Sequence, residues 1–600
     1  MMYLILITVF LTAILRLKAE AVKPKPAARP GILLLLVLCA AAVPVGGPAL
    51  AEQAGPEIPA PEFSQASGFY DDPFELTILS EEGLSVYYTR DGSIPDETDT
   101  LYTGPLEVND RTHEKNVLSD RTDIIAPNQW GDAVAPLMKV DKADVIRAVA
   151  VDGQGNRSTV STAVYFIGYQ DKAEFYRNYK VISLTVDPDD LFDPERGIYI
   201  QGNAFDEWLH SDAYDPSLDE WLIPGNYRNR GREWERQARM QIFDGGTEVF
   251  SGEVGIRIHG GANRDSEQKS FNIYTRKEYG TKVINYDLYD GENISEAEDE
   301  IITEYDSFIL RNCGNDNKFS RIRDHLIQGL VWGRNFITQA MTPCLVFIDG
   351  EFWGHYEITE KLTDDFIHDH FGIQKKNVVL MKNEEVEEGT EEDGQEFAAF
   401  RDWIRETDFS DEEAYRQLEE QVDLDGLAEY LTVEFYICNW DFGHNNFACW
   451  RARETDPNND WADGKWRFIL YDTEYSTGLY GTVKPDENAI ERLREKDCFI
   501  SDLFFGAMES PEFRGKFANT YDDLTTAEFA DNLVQDAVLE LYGRNLDVIL
   551  ATYDRFWPNW PGGPDGANVL MSQVQDILNF FAERRQYSDE HVTKLLSWYR

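Results

Sequence analysis

The sequence predicts a multidomain protein in which a small antiparallel β-sandwich precedes a larger α+β domain with a helical C-terminal part. The chain has 600 residues, more than one hydrophobic core usually accommodates. Short alternating strands separated by turns fill residues 63–168, whereas mixed strands and helices follow in residues 181–600. Stretches such as NVLMSQVQDILNFFAERRQ give the end of the chain its helical pattern.

The composition favours an exported globular protein. Hydrophobic residues make up 42% of the chain and aromatic residues 13%, which is enough for large cores and excludes a disordered chain. Acidic residues outnumber basic ones by 109 to 56, giving a formal net charge of -53. A surface this acidic repels the phosphates of nucleic acids and anionic lipids, so we expect no nucleic-acid partner.

The N-terminal residues 1–51 read as a signal or leader segment. A basic flank, an apolar core at residues 32–43 and small residues up to Ala51 follow one another in the order of a secretory signal. The apolar run before this flank is either a mis-assigned start or a second anchoring segment. Residues 52–62, rich in Ala, Pro and Glu, form a linker. We therefore expect a secreted or cell-surface protein, with membrane anchoring only through this N-terminal segment.

The region 63–168 has the features of a β-sandwich. FELTILSEEGLSVYYTRDGSIPDETDTLYTGPLEV alternates strands and turns, and DVIRAVAVDGQGNRSTVSTAVYFIG continues the pattern. Residues 110–142 are longer and more polar than the pattern requires and are predicted to be a loop insertion. The remainder resembles the chitobiase/hexosaminidase C-terminal-type repeat of secreted bacterial proteins. That resemblance implies the fold and allows contact with cell-wall or surface carbohydrate.

The stretch NWDFGHNNFACWRARETDPNNDWADGKWRFILYDTEYSTG holds the candidate catalytic residues. Asp441 and Asn446 are separated by the same interval as the Asp and Asn of a protein-kinase catalytic loop. A predicted hairpin follows, and Asp472 comes at the end of its second strand, in the position of the kinase metal-binding Asp. The pattern alone fits a metal–nucleotide site and a structural polar turn equally well.

A family resemblance favours the first of these alternatives. The motifs VISLTVDPDDLFDPERGIYIQGN, GIRIHGGANRDSEQKSFNIYTR, FILRNCGNDNKFSRIRDHL, VFIDGEFWGHYEITEKL, NWDFGHNNF, WRFILYDTEYSTG and FFAERR resemble those of the spore coat protein CotH kinase family, in the same order. The resemblance implies an atypical protein-kinase-like fold that uses ATP with Mg²⁺ or Mn²⁺. It assigns catalysis to Asp441 and metal binding to Asn446 and Asp472. Glu474 stands where family members commonly carry a second Asp, and we include it as a metal ligand.

A nucleotide also requires basic groups for its phosphates. In IHGGANRDSEQKSFNIY, a Gly-Gly turn precedes Arg264 and Lys269, and composition alone favours an ordinary hairpin with surface bases. The resemblance instead makes Lys269 a phosphate ligand, and we predict Glu360 as its carboxylate partner, by analogy with the kinase Lys–Glu pair. Arg311 and Arg323 belong to a further charged group, which reads either as buried ion pairs or as phosphate contacts.

The sequence thus predicts a secreted atypical kinase that transfers the ATP γ-phosphoryl group to a hydroxyl acceptor, Ser or Thr of a protein. The alternative is a non-catalytic adhesin with a kinase-like fold, which binds a cell-surface or carbohydrate partner.

Overall fold

The N-terminal region of the computed structural model is rich in short strands, as predicted. The structure describes residues 58–127, 133–169 and 172–599, so the predicted leader and most of the linker lie outside the described residues. The strands are β1 (Glu62–Phe63), β2 (Gly68–Tyr70), β3 (Phe74–Leu76), β4 (Ile78–Leu79), β5 (Ser85–Thr89), β6 (Thr100–Leu101), β7 (Leu106–Val108), β8 (Asp144–Val151) and β9 (Ser161–Ile167).

These strands enclose a small core of their own. The pairs β1–β4, β3–β7, β5–β6, β5–β8 and β8–β9 are antiparallel, whereas β2 and β9 are parallel. Leu76, Val108, Ile146 and Tyr165 are buried between them. The described part of the predicted insertion, within residues 110–142, forms no helix and no strand beyond an isolated bridge, so this part is a loop, as predicted.

The larger domain begins with a mixed set of strands and short helices. These are β10 (Lys180–Val186), β11 (Arg236–Asp244), β12 (Thr247–Ile258), β13 (Phe271–Thr275), β14 (Ile284–Asn285), β15 (Glu304–Tyr305), β16 (Ser307–Arg311), β17 (Met341–Ile348) and β18 (Glu351–Glu360), with helices α1 (Ala173–Arg177), α2 (Pro188–Phe192), α3 (Gly202–Leu209) and α4 (Arg323–Leu330). The segments EVGIRIHG, KSFNIYTR, SFILRN and CLVFIDGEFWGHYEIT each contribute strands to this set. Both β17 and β18 are buried along their whole length. This explains the almost continuous apolar sequence of β17, whereas β18 also buries polar residues such as His355 and Glu357.

One twelve-stranded sheet joins the two regions. Its order is β11-β10-β17-β18-β16-β13-β12-β2-β9-β8-β5-β6, and the junction between β12 and β2 is the pair Thr247–Gly68. A shared hydrophobic cluster covers this junction. The Phe166 ring centroid lies 5.3 Å from that of Phe243 and 5.0 Å from that of Phe347, and all three residues are buried. The two regions therefore share a core.

A buried carboxylate provides a second connection between the two regions. Glu351, at the start of β18, accepts hydrogen bonds from Val117 N at 2.7 Å and from Ser119 N at 2.7 Å and Oγ at 2.5 Å. This packing argues against independent folding of the larger domain without residues 63–168.

The C-terminal part is mostly helical, as predicted, and begins with a smaller sheet of order β20-β19-β21-β22. Among the described residues, no helix is both long and apolar enough to cross a membrane. The elements are β19 (Val378–Lys382), β20 (Glu385–Glu388), β21 (Ala448–Ala452) and β22 (Arg467–Ile469), with α5 (Asp364–Phe371), α6 (Glu391–Glu406), α7 (Glu412–Glu419), α8 (Leu424–Ile437), α9 (Ala489–Arg494), α10 (Phe499–Ala507), α11 (Pro511–Thr526), α12 (Asp531–Phe556) and α13 (Gly566–Ser597).

Helix α8 positions the loop that follows it. Asp423 caps its N-terminus by accepting a hydrogen bond from Gly426 N, and the helix is buried on all sides, as expected for its largely apolar sequence. It ends at Cys438, whose left-handed backbone turns the chain into the loop 439–447. The loop therefore starts from a fixed point in the core.

Candidate active site

Asn446 and Asp472 meet at one end of the predicted hairpin, which β21 and β22 form. Asn446 Nδ2 donates a hydrogen bond of 3.0 Å to the backbone oxygen of Asp472. Both residues have left-handed backbones, with φ of 53° and 58°. Asn and Asp tolerate this conformation better than other non-glycine residues, so the fold requires these residue types here for a local reason as well.

Asp441 lies half-buried in the same loop. Burial raises the pKa of its carboxyl to about 6, and the charge of Asp472 adds to this effect, while Lys496 and Arg492 oppose it. The influence of Asp472 shows that the two carboxylates are close enough to repel each other. At neutral pH, Asp441 is mainly ionised and can still take up a proton readily.

Arg311, at the end of β16, holds three carboxylates together. Its Nη2 lies 2.7 Å from Asp472 Oδ1 and also contacts Glu474 Oε1, and its Nε lies 3.5 Å from Asp324 Oδ2. Asp324 belongs to the first turn of α4 and also accepts hydrogen bonds from the backbone and hydroxyl of Thr473. A strand end, a helix start and the segment after β22 are thus fixed by one guanidinium group.

The contacts of Arg311 determine whether Asp472 or Glu474 carries the negative charge. Burial alone would raise the pKa of Asp472, but the charge of Arg311 outweighs it and lowers that pKa to about 2. Burial dominates at Glu474 and raises its pKa well above the usual range. Gly314 makes room for Glu474, since a Cβ there would lie 1.6 Å from Glu474 Oε1. Asp472 is therefore the ionised member of the pair.

The predicted ion pair between Lys269 and Glu360 is wrong. Lys269 is 0% exposed, and its Nζ donates to the backbone oxygens of Arg264 and Ser266, at 2.9 Å each. It also lies 4.0 Å from the centroid of the Tyr227 ring, and burial lowers its pKa to about 7. The Lys269 ammonium group stabilises its own turn and does not reach β18.

Glu360, the last residue of β18, has different partners. Its Oε1 accepts hydrogen bonds from His370 Nε2 and Asn293 Nδ2, both at 2.8 Å, and its Oε2 accepts one from Ala340 N at 2.9 Å. These three donors satisfy the buried carboxylate without a lysine.

Arg264 also stabilises the turn that follows β12. Its side chain is buried and donates to four backbone oxygens, so its hydrogen-bonding capacity is largely used within the protein. These acceptors are the oxygens of Tyr227, Asn229, Ile258 and Gly260. Phosphate binding by Arg264 or Lys269 stays a prediction, which this geometry does not favour.

Two other lysines, Lys382 and Lys361, lie close enough to repel each other, and Lys382 also interacts with Asp472. Lys382, the last residue of β19, lies with Nζ 4.6 Å from the centroid of the Tyr471 ring. Burial lowers its pKa, the carboxylates of Glu387 and Asp472 raise it, and the positive charges of Lys361 and Arg311 lower it. Burial also lowers the pKa of Lys361. In the described part of the chain neither lysine forms an ion pair, so both could bind an anion.

The sequence contained part of this information. Arg311 was recognised there as either an ion-pair or a phosphate residue, and the ion-pair alternative is confirmed. Lys382 was missed. A lysine that ends the apolar strand VVLMK was the available signal, but nothing local indicated that this strand lies beside β21.

Comparison with known protein families identifies two regions of the chain. Residues 256–588, more than half of the chain, match the family model described as CotH kinase protein. The chain belongs to the CotH kinase family. The CotH match begins within β12, whereas β10 and β11 precede it in the same sheet.

Residues 69–165 match a second family model, Fn3 associated, which corresponds loosely to the expected chitobiase-type repeat. No curated protein matches the chain. Within this CotH-family protein, the predicted positions Asp441, Asn446, Asp472 and Glu474 lie on consecutive segments around one hairpin end. Lys269, Arg264 and Glu360 make separate contacts.

Proposed function

We propose that this CotH-family protein is a secreted atypical kinase that transfers the γ-phosphoryl group of ATP to Ser or Thr of a protein, with Mg²⁺ or Mn²⁺. The observation that carries the proposal is the Arg311 cluster beside the Asp441 loop. Protein kinases place, in chain order, a strand lysine, a helix glutamate that pairs with it, a loop with Asp and Asn, and a metal-binding Asp after a hairpin. Here Arg311, Asp324, Asp441, Asn446 and Asp472 follow in that order.

The donor set suits a hard divalent cation. Asn446 uses its Nδ2 for the bond to Asp472 O, which leaves its Oδ1 available as a ligand. The side chain of Asp472 is ionised and 32% exposed, so an ion can reach it. Glu474 is buried against Arg311 and is the weaker ligand. Carboxylate and amide oxygens are the ligands that Mg²⁺ and Mn²⁺ prefer, and the bound ion would neutralise phosphate charge.

The remaining residues would position the reactants. Lys361 and Lys382 would bind phosphate oxygens, because neither forms an ion pair with a carboxylate of the described residues. Arg311 would hold Asp472 in place. Asp441, mainly ionised at neutral pH, would orient the acceptor hydroxyl group and accept its proton. The catalytic contribution would consist of positioning and charge neutralisation.

Phosphoryl transfer by the purified full chain tests the proposal. The assay uses γ-labelled ATP with Mg²⁺ or Mn²⁺, and measures autophosphorylation and transfer to Ser/Thr-rich secreted proteins. Asp441→Asn should lower transfer by about a hundredfold or more, which is typical for loss of a general base. The affinity for nucleotide, measured by calorimetry, should change little. Asp460→Asn, on the exposed turn between β21 and β22, is the matched control and should behave as wild type.

Two results would separate the alternatives. Full transfer by Asp441→Asn would refute the role of this residue. No transfer and no metal-dependent ATP binding by wild type would refute the kinase and favour the non-catalytic adhesin, which would bind surface carbohydrate through its N-terminal domain.

A further inference from the structure

A cluster of three metal-ligating side chains lies at the loop 439–447. Glu384, His444 and Cys498 each offer one ligand atom, and these atoms all lie within 4.8 Å of one another. Zn²⁺ binds oxygen, nitrogen and sulfur ligands at about 2.0–2.3 Å, so small side-chain movements would bring all three atoms to one ion. The cluster therefore has the composition and the spacing of a zinc site.

Three separate elements supply the cluster. Glu384 belongs to the turn between β19 and β20 and has a left-handed backbone, with φ of 67°. His444 lies in the loop, between Asp441 and Asn446, and Cys498 immediately precedes α10. An ion bound by these side chains would join three elements that are far apart in the sequence.

The sulfur of Cys498 faces the loop. A Cβ added at Gly443 would lie 3.5 Å from Cys498 Sγ, so the thiol packs directly against the residue that precedes His444. Cys498 is 0% exposed, whereas Glu384 is half-buried and His444 is exposed. Because exposed side chains change rotamer rapidly, the His444 ring can admit an ion and close over it. Burial raises the pKa of the Cys498 thiol to about 11, and a bound Zn²⁺ would displace its proton, as at other thiol ligands.

Contacts outside the cluster hold Glu384 in place. Its Oε1 accepts a hydrogen bond of 2.9 Å from Phe499 N, and its Oε2 accepts one of 2.8 Å from Arg401 Nη1. Each oxygen has a second lone pair, so these bonds leave the carboxylate able to bind an ion. Arg401 also pairs with Asp497 at 2.9 Å and with Asp502 at 2.7 Å, which neutralises its charge and reduces its repulsion of a cation. Outer contacts of this kind orient the ligands of metal sites.

We propose that Glu384, His444 and Cys498 bind Zn²⁺, and that the ion fastens the loop 439–447 to the β19–β20 turn and to α10. Carboxylate, imidazole and thiolate are the three ligand types of Zn²⁺, and a water molecule would complete the tetrahedral geometry. Mg²⁺ and Mn²⁺ prefer oxygen ligands, so this site differs from that of the proposed active-site metal. It uses none of the residues assigned to phosphoryl transfer and does not depend on the proposed function.

Co²⁺ and Zn²⁺ test the site on the full chain, in excess Mg²⁺ to occupy sites made of oxygen ligands. Co²⁺ takes the same ligands as Zn²⁺ and gives a sulfur-to-metal absorption band when a thiolate binds it. We expect saturable Co²⁺ binding with this band, its loss on addition of Zn²⁺, and a higher Tm with Zn²⁺ because the ion binds the folded chain. Absence of the band, or its persistence in excess Zn²⁺, would overturn the proposal.

Matched variants locate the site. His444→Ala and Glu384→Gln should each weaken Zn²⁺ binding at least about tenfold, since each removes a ligand, and Cys498→Ser should abolish the Co²⁺ band. His210→Ala and Glu385→Gln, both at exposed positions outside the cluster, should bind Zn²⁺ as wild type does. His444→Ala decides the question if Cys498→Ser fails to fold, because His444 is exposed. Undiminished affinity in His444→Ala, or a band that survives Cys498→Ser, would refute the assignment.

Hydrogen exchange measures the fastening of the loop. Zn²⁺ should slow amide exchange within residues 439–447 of wild type and leave it unchanged in His444→Ala, because only the intact cluster joins the loop to its neighbours. Equal exchange of the wild-type loop with and without bound Zn²⁺ would refute the anchoring role.

Discussion

Replacing Arg311 with Ala tests the group on which the candidate active site depends. The substitution leaves the carboxylates of Asp472, Glu474 and Asp324 without their common guanidinium group. Breaking a buried ion pair by removing one partner costs about 3–5 kcal/mol. The side chains of Arg311 and Glu474 are 9% and 1% exposed, but that of Asp472 is 32% exposed, and Glu474 can take up a proton. We therefore expect Arg311→Ala to lower the free energy of unfolding by about 3 kcal/mol, the lower limit of this range.

Urea unfolding at neutral pH in metal-free buffer measures this loss. Arg311→Ala, Asp472→Asn and the double variant form a cycle, whose coupling energy should be about 1–3 kcal/mol for residues in contact. Arg416→Ala serves as the control, since both partners of its ion pair with Glu413 are exposed and the pair should contribute little to stability. Added Mg²⁺ should stabilise Arg311→Ala more than wild type, because the cation can replace the lost positive charge.

The reasoning fails if Arg311→Ala loses no more stability than Arg416→Ala, or if the cycle shows no coupling. Either result would mean that water or protonation compensates these carboxylates, and that Arg311 does not hold Asp472.

Three further perturbations test other parts of the structure. Burial lowers the pKa of His370, but the carboxylates of Glu360 and Glu296 outweigh it and raise that pKa to about 10. The unfolded value is about 6.5, so this stabilisation is complete below it and disappears as the pH rises through about 10. His370→Gln should lower the Tm most near pH 6 and least near about pH 10; a constant difference would contradict this. Gly314→Ala introduces a clash with Glu474 and a strained backbone (φ +50°). It should lower the free energy of unfolding in urea by about 1–3 kcal/mol and weaken ATP binding. Wild-type stability and affinity would show that Glu474 moves freely. Phe166→Ala should cost about 3–5 kcal/mol and lower the whole unfolding transition, while a separate, unshifted transition of the larger domain would show that the domains are independent.

The sequence predicted the local parts of the candidate site well. The loop that carries Asp441 and Asn446, the hairpin and Asp472 are consecutive in the chain, so their spacing limits where they can lie. The relevant strands and α8 were also recognisable, because their apolar patterns match their burial. Local spacing and burial together therefore placed three of the predicted residues around one hairpin end.

Contacts between residues far apart in the chain could not be predicted from the sequence. Lys269 was expected to pair with Glu360, but the pairing depends on depth in the fold, and Tyr227 and two backbone oxygens enclose Lys269 before any strand carboxylate can reach it. The partner of Asp472 proved to be Arg311, which lies 161 positions earlier in the chain. No periodicity records a contact of that kind.

The continuous sheet also constrains how the two regions of this protein can evolve. The two family matches, residues 69–165 and 256–588, divide the sequence, yet Phe166 on one side packs against Phe243 and Phe347 on the other. Recombination that exchanged the first region alone would bring a new surface against an old one and leave these rings mismatched. The N-terminal region and the strands beneath it are therefore expected to change together among relatives, as one inherited block.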